Sequence, residues 1–281
     1  MVRMIGIDLD DTYLNSEKNV PAENSAAVSL ALDRGILVLP VTGRPPAAVP
    51  ETVLRSAPFR YLIASGGASA HDLLTGELLF REAIPYETGL RLAAGLQEAG
   101  FLVNVFADGR GYVSERDYEL AVSYARTPAA REYLRTFRVP VRDIFDIVRA
   151  HPEGLEKITA AAPRNEAGQM LRADEALRIA EPFSADIDVM YSPEINVEIN
   201  SARATKGRAM LRIAHMYGIA REEIMAIGDS ANDLEMIRTA GVPVAMGNAC
   251  AELRAEARCI APDQDHAGVA YAIRKWALGH V

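Results

Sequence analysis

Met4-Ile5-Gly6-Ile7-Asp8-Leu9-Asp10-Asp11-Thr12 is a run of apolar residues that stops at three carboxylates. Ile5 and Ile7 suit a strand buried in a parallel sheet, which reads as a near-continuous apolar run. In open α/β sheets, ligands bind just beyond the carboxyl ends of the strands. Asp8 and Asp10 are therefore expected at the floor of a site. Two carboxylates at that spacing could share one cation or divide nucleophile and acid roles. The plainer alternative is an acidic turn in which Asp11 or Thr12 caps the next helix.

Outward from that stretch, Pro21-Ala22-Glu23-Asn24 opens a helix that runs to about Arg34 and is closed by Gly35. Ile36 to Val41 reads as a second buried strand, weakened by Pro40, which lacks a ladder donor. It ends at Thr42-Gly43-Arg44: a hydroxyl, a flexible backbone and a guanidinium. Tyr61 to Ala64 reads as a third strand, ending at Ser65-Gly66-Gly67. This strand-helix-strand rhythm predicts parallel strands in a doubly wound, Rossmann-like α/β sheet.

From about Glu82 the pattern changes. Pro85 to Glu98 reads as helix, and Phe101 to Phe106 with Gly111 to Ser114 flank Asp108-Gly109 as a hairpin. Arg116 to about Leu134 reads as helix interrupted at Pro128, Ile158 to Ala162 as strand, and Asn165 to Ala180 as one amphipathic helix. Ile187 to Tyr191 and Asn196 to Ile199 read as strands. The parallel style resumes with a helix from Thr205 to His215, a strand over Glu223 to Ile227 ending at Gly228-Asp229-Ser230-Ala231-Asn232-Asp233, and a strand from Val242 to Met246. A last helical segment covers Gly268 to Leu278. The organisation expected is a core in two parts, 1–82 and 189–281, interrupted by a mixed α/β cap domain over 83–188.

The 281 residues allow one large domain or two moderate ones, with ample material for a buried core. A net charge of −8 argues against a general nucleic-acid or membrane-surface binder. It does not exclude a small anionic substrate, because a metal ion can supply positive charge locally. Cys250 and Cys259 make neither a disulfide framework nor a zinc pattern and are expected as buried free thiols in a reducing compartment. Acidic residues arrive by position 8, before an apolar signal segment could form, and no stretch approaches a membrane span. A cytoplasmic protein is expected. The five histidines are scattered without metal spacing.

Polar groups thus gather at four strand ends or helix starts: Asp8/Asp10, Thr42, Lys206 and Asp229/Asp233. Each alone is weak, since Asp229 could cap a helix and Thr42 could be a turn residue. Lys206 falls in the first turn of a helix, where a cation opposes the macrodipole. Helix N-termini bind anions, however, and an ammonium there would reinforce a phosphate site. Together the groups have one economical use. Mg²⁺ takes a few carboxylates, carbonyls, waters and a phosphate oxygen. Asp8 and Asp229 could supply carboxylates, while Lys206 offsets the charge of a phosphate dianion and Thr42 holds its oxygens. A carboxylate can act as nucleophile in phosphoryl transfer, and Asp10 could protonate the leaving alkoxide and then activate water.

These residues resemble the haloacid-dehalogenase-like hydrolase superfamily, in particular its Cof-type phosphatase branch. Asp8-Leu9-Asp10-Asp11-Thr12 matches the first motif, Thr42 the second, Lys206-Gly207 the third and Gly228 to Asp233 the fourth. Their order and spacing agree, with a cap-sized insertion between the second and third. The resemblance implies Asp8 as nucleophile and metal ligand, and Asp10 as general acid/base with its backbone carbonyl on Mg²⁺. It implies Asp229 as the third protein ligand to the metal. Thr42 and Lys206 would bind the phosphoryl group, with Gly43, Arg44 and Asn232 on the substrate side, and Asp233 would orient Lys206 or a metal-bound water. The sequence departs from the branch at Tyr13, at Ser65-Gly66-Gly67-Ala68 and at Asp265-His266-Ala267-Gly268-Val269.

The activity implied is Mg²⁺-dependent hydrolysis of a small phosphorylated metabolite, such as a sugar phosphate, through an aspartyl phosphate. The alternatives are a phosphotransferase or phosphomutase, or a silent binding protein on the same fold. Cap residues Arg110, Arg116, Tyr118, Tyr124 and Arg126 are candidates to contact substrate, though each singly suits an ordinary solvated surface.

Overall fold

The computed structural model describes residues 1–125, 127–192 and 196–279; Arg126 lies outside them. In chain order come β1 (Met4–Ile7), α1 (Ala22–Asp33), β2 (Leu37–Pro40), α2 (Glu51–Leu54), β3 (Tyr61–Ala64), β4 (Ser69–Asp72) and β5 (Leu78–Arg81). Then follow α3 (Tyr86–Glu98), β6 (Leu102–Ala107), β7 (Arg110–Ser114), α4 (Glu115–Ser123), α5 (Pro128–Phe137), β8 (Arg138–Val141), α6 (Ile144–Ala150), β9 (Lys157–Ala161), α7 (Ala173–Ala180), β10 (Ile187–Ser192) and β11 (Asn196–Ser201). The chain closes with α8 (Lys206–Met216), β12 (Ile224–Gly228), α9 (Leu234–Thr239), β13 (Val242–Ala245), α10 (Ala251–Glu256), β14 (Cys259–Ile260) and α11 (Gly268–Ala272). Among the described residues, no helix is long and apolar enough to cross a membrane. Cys250 and Cys259 are free and half-buried rather than buried.

The chain divides into two compact units. The first takes Met1–Arg44, Val49–Phe80 and the chain from Thr205 onward. Its sheet runs β14-β13-β12-β1-β2, with every pairing parallel. Strand alternation sends Ile5, Ile7, Val38, Met225, Ile227 and Val244 to one face, where α1 and α11 cover them. Met4, Leu39, Val41, Ile224, Ala226 and Ala245 go to the other, against α8 and α9. Both faces are buried, which is why these strands read as unbroken apolar runs. Pro40 is accommodated by its position. Leu37 N–H donates to Arg3 O, just before β1, at 2.9 Å and Val41 N–H to Ile7 O at 2.8 Å, so the intervening proline nitrogen faces away from that ladder. On that side the pairing passes to β3 only at Val41, which bridges Ile63 in parallel. β3 is antiparallel to β4 in a separate three-stranded sheet with β5.

The second unit takes Pro45–Ala48 and Arg81–Ala204. Its sheet runs β10-β11-β9-β6-β7-β8, antiparallel except for the β7–β8 pair. Val103, Val105, Ile158, Ala160, Val197 and Ile199 line one face beneath α3, α6 and α7. The expected hairpin is present, with Asp108 at φ 48° and Gly109 at φ 70° in the two-residue turn. Both central residues at positive φ match the twist of the flanking strands.

Two expectations for this unit differ. The boundary expected at 188/189 falls inside β10, and the unit extends to Ala204 because β10 and β11 join the ladder of β9. The helix expected from Asn165 begins only at Ala173. Asn165 instead closes a turn with Gln169 through two bonds of 2.9 Å, one from its backbone N–H and one to its side chain, and Arg172 turns left-handed at φ 60°. The interruption at Pro128 is complete: α4 ends at Ser123, and Thr127 caps a new helix by accepting from Ala130 N–H.

Candidate active site

Register brings the distant motif residues to one level. Ile7 stands opposite both Pro40 and Ile227. The residues that follow each strand therefore emerge together: Asp8 after β1, Thr42 shortly after β2, and Asp229 after β12. Asp8 N–H still donates to Ile227 O at 3.0 Å, so Asp8 is the last position held by the ladder. Thr42 is buried and accepts Arg44 N–H on its hydroxyl at 3.1 Å, while Gly66 N–H donates to its carbonyl. A Cβ placed on the neighbouring Gly43 would meet open space.

Lys206 opens α8, capped by Thr205, whose hydroxyl accepts Arg208 N–H. The helix start is seated against Gly67, at φ 100°, where a Cβ would fall 2.3 Å from Thr205 O. Only glycine permits both that backbone and that approach. The buried Lys206 ammonium donates to Asp8 Oδ1 at 2.6 Å, to Asp233 Oδ1 at 2.5 Å and to Asn232 Oδ1 at 3.2 Å. Its three protons are thereby used. Asp233 turns its other oxygen to the backbone N–H groups of Asp229 and Ser230 at 3.1 and 3.2 Å, fixing the loop that presents Asp229.

The charge balance of this cluster is uneven. One oxygen from each of Asp8, Asp229 and Asp233 lies within 4.8 Å of the others. Burial opposes the charge on Lys206, but Asp233 and Asp8 more than compensate and raise its affinity for the proton. Asp8 is pushed well above the usual carboxylate range, chiefly by burial, with Asp233 and Asp229 adding to the effect against Lys206. Asp229 is pushed up to about 7 by burial and by Asp233, despite the hydrogen bond from Thr12. One ammonium does not neutralise three gathered carboxylates. Hard oxygen donors with surplus negative charge are the donor set that a divalent cation such as Mg²⁺ fits.

Asp10 is turned away from that cluster. Arg44 grips its carboxylate with Nε at 2.7 Å and Nη2 at 2.6 Å, and the Lys18 ammonium stands 3.6 Å away. Burial alone would raise the Asp10 carboxyl, but bonding and charge from Arg44, with Lys18, bring it below its ordinary value. The structure thus places Arg44, expected on the substrate side, on the acid/base candidate. Sequence reasoning missed three supports. Thr12, read as a possible helix cap, donates to Asp229 Oδ1 at 3.2 Å and ties the first motif to the fourth. Lys18 bonds Asp11 at 2.7 Å. Asn248 donates to Asp11 O at 2.8 Å. Only Thr12 carried a signal, its place in the first motif.

The cap candidates are less committed to a site. Arg110 is exposed, Arg116 pairs with its neighbour Asp117 at 3.0 Å, and Tyr118 points its hydroxyl toward Arg135 O at 3.4 Å. Tyr124 is half-buried. Of the departures from the motif pattern, Tyr13 is a core residue whose hydroxyl bonds Ser56 at 2.8 Å, and Asp265 accepts Ser16 N–H at 2.9 Å.

The chain matches a family model for haloacid dehalogenase-like hydrolases over residues 5–273. It is 31% identical to the 5-amino-6-(5-phospho-D-ribitylamino)uracil phosphatase YwtE of Bacillus subtilis (strain 168), over 99% of both chains. It is 29% identical to phosphatase YwpJ of the same organism, over 97% of this chain and 99% of that one. A solved haloacid dehalogenase-like hydrolase from B. subtilis superposes with a TM-score of 0.81 at 26% identity, covering 98% of this chain and 100% of the other. A doubly wound sheet with carboxylates and a buried lysine at its strand ends, matched along nearly its whole length by that family, belongs to a haloacid dehalogenase-like hydrolase.

Proposed function

We propose that the chain is a phosphatase that hydrolyses a small phosphate monoester through an aspartyl phosphate on Asp8, with Mg²⁺ as cofactor. The observation that carries this reading is the charge imbalance of the strand-end cluster: three carboxylates share one saturated ammonium. Relatives named as phosphatases along their full length support it. Asp8 and Asp229 carboxylates and the Asp10 carbonyl would hold the metal. Bound there, Mg²⁺ would neutralise phosphoryl oxygens and draw charge from phosphorus.

The chain's own residues divide the remaining work. An Asp8 oxygen attacks phosphorus, the O–P bond to Asp8 forms, and the bond to the ester oxygen breaks. Asp10 gives its proton to the departing alkoxide. Asp10 then takes a proton from water, whose oxygen attacks the phosphoryl group and releases phosphate and the Asp8 carboxylate. Lys206 holds positive charge beside Asp8 throughout, and Thr42 offers a hydroxyl to the phosphoryl oxygens. Arg44 competes for Asp10: while the two are paired, Asp10 stays ionised, so delivery of its proton requires Asp10 to leave the guanidinium.

The test is turnover of p-nitrophenyl phosphate with added Mg²⁺. Activity that disappears in excess chelator and in Asp8→Asn is expected. Full activity in chelator, or in Asp8→Asn, would overturn the reading.

A further inference from the structure

Asp10 sits in a balanced set of charges, all of it within the first unit. Arg44 meets the carboxylate with two donors, Nε on one oxygen at 2.7 Å and Nη2 on the other at 2.6 Å. That fork-on-fork contact is the one a guanidinium makes with any planar carboxylate or with a phosphoryl group. The Lys18 ammonium stands 3.6 Å from Asp10 and 2.7 Å from Asp11. The chain holds Lys18 there. It is left-handed at φ 62°, in a turn closed by its own N–H on Asn15 O at 2.9 Å and by Asn19 N–H on the Asn15 side chain at 2.8 Å. Two carboxylates, Asp10 and Asp11, thus meet two cations, and the charges of the four cancel.

Acting as acid and base upsets this balance. Asp10 has to release Arg44 to reach the ester oxygen. Arg44, Lys18 and Asp11 then carry one positive charge in excess. The Lys18 side chain is 47% exposed, so water readily compensates it, whereas that of Arg44 is only 18% exposed. A half-buried guanidinium that gives up its carboxylate is costly unless another acceptor takes the fork. The opening beside Lys18 lets one approach. The demand is the reverse of the one made by Asp8, Asp229 and Asp233: there a cation is wanted, here an anion.

We propose that Arg44, with Lys18 beside it, exchanges Asp10 for a second anionic group carried by the substrate. The proposal rests on the phosphatase reading and narrows its substrate to a phosphate ester with a second anion close to the ester oxygen. Such an ester supplies the acceptor that frees Asp10. An ester with a neutral alcohol part leaves Asp10 held. Arg44 is thereby a specificity-determining residue, and its contact with Asp10 in the free enzyme is one half of an exchange.

The experiment compares kcat/KM, with Mg²⁺, for 3-phosphoglycerate and sn-glycerol 3-phosphate. The two share a three-carbon skeleton and differ by a carboxylate in place of a hydroxymethyl group. The wild type is expected to favour 3-phosphoglycerate by at least about 10-fold, the lower end of what a hydrogen bond to a charged group discriminates. Arg44→Gln should bring the ratio close to one. Lys18→Gln should lower it by about 3-fold, and this exposed position reads out the proposal if the Arg44 variant does not fold. A wild-type ratio near one would overturn the exchange, since the reacting phosphoryl group or water would then serve every ester alike. A preference that survives Arg44→Gln would overturn it too, by placing the carboxylate elsewhere. Loss of p-nitrophenyl phosphate hydrolysis in the wild type is the separate failure of the phosphatase reading. If the two esters are not turned over, calorimetric binding of each to the wild type and to Arg44→Gln decides, and equal affinities would overturn the proposal.

Discussion

The two units treat buried polarity in opposite ways. At the strand ends of the first, every Lys206 proton has an acceptor, yet negative charge remains in surplus. On the polar sheet face of the second, the charged pair Lys157–Glu198 is closed while neutral amide oxygens stand open. Surplus charge calls for a cation and an anion brought together, which is the requirement of phosphoryl transfer. Open neutral acceptors call for donors without charge. The two units thus leave different kinds of demand unmet, charge in the first and neutral hydrogen bonding in the second.

The comparison breaks most sharply at Asp8. Asp8→Asn should lose on the order of 10⁴-fold or more in turnover, as for the loss of a nucleophile that works within a catalytic unit. Its melting temperature should hold or rise, because the change removes one of the crowded negative charges. Steady-state kinetics with parallel thermal melts checks both parts, and a variant that keeps a tenth of the activity would remove Asp8 from the mechanism.

Lys206→Ala comes next. It strips the ammonium from Asp8 and Asp233 and should cost about 3–5 kcal/mol in urea unfolding, because it leaves buried charge uncompensated. It should also depress kcat/KM alike for every ester, since each presents the same phosphoryl group. A selective effect on one ester would take Lys206 off the phosphoryl group.

Metal supply sharpens the same contrast from the other side. Mg²⁺ at about 100 times its dissociation constant should raise unfolding stability by about 2.7 kcal/mol. Asp229→Asn should abolish most of that gain, whereas Asn200→Ala should leave it intact. Denaturant titrations with and without Mg²⁺ measure it, and an equal gain in Asp229→Asn would take that carboxylate out of the metal site.

The smallest effect belongs to the second unit alone. His151 lies 2.9 Å from Asp108 and 2.7 Å from Ile147 O. Burial opposes its charge, but the Ile147 carbonyl and Asp108 outweigh burial and raise its pKa above 6.5. The folded chain therefore holds this proton more tightly than the unfolded one. The resulting stabilisation is complete below pH 6.5 and is lost as pH rises through the higher folded value. Asp108 is well exposed, so the amount should stay below about 1 kcal/mol. Melts from pH 6 to 8 should slope less in His151→Gln than in the wild type.

Sequence reading reached the fold of the first unit because its strands are buried on both faces. Continuous apolar runs such as Met4–Ile7 and Ile224–Gly228 admit few other readings, and each breaks at a polar residue where the sheet ends. The same breaks mark Asp8, Thr42 and Asp229, which register brings to one level, whereas Lys206 is marked by a helix start. Sequence reading misjudged Asn165 to Ala180 because apolar spacing persists through a stretch whose Asn165 turn and left-handed Arg172 break the helix. It assigned β10 and β11 to the wrong side of a boundary because strand propensity carries no information about which ladder a strand joins.

What the sequence by itself determined was the set of strand-ending polar residues and their order, since hydrophobic periodicity and its interruptions are local properties of the chain. Tertiary structure alone decided their partners. That Arg44 closes on Asp10 across 34 positions, that Thr12 reaches Asp229 across 217, and that Asn104, Asn200 and Arg138 share one open face all depend on register and side-chain direction. Displacing β6, β11 or β8 by a single residue would send Asn104, Asn200 or Arg138 to the opposite face with no change in sequence.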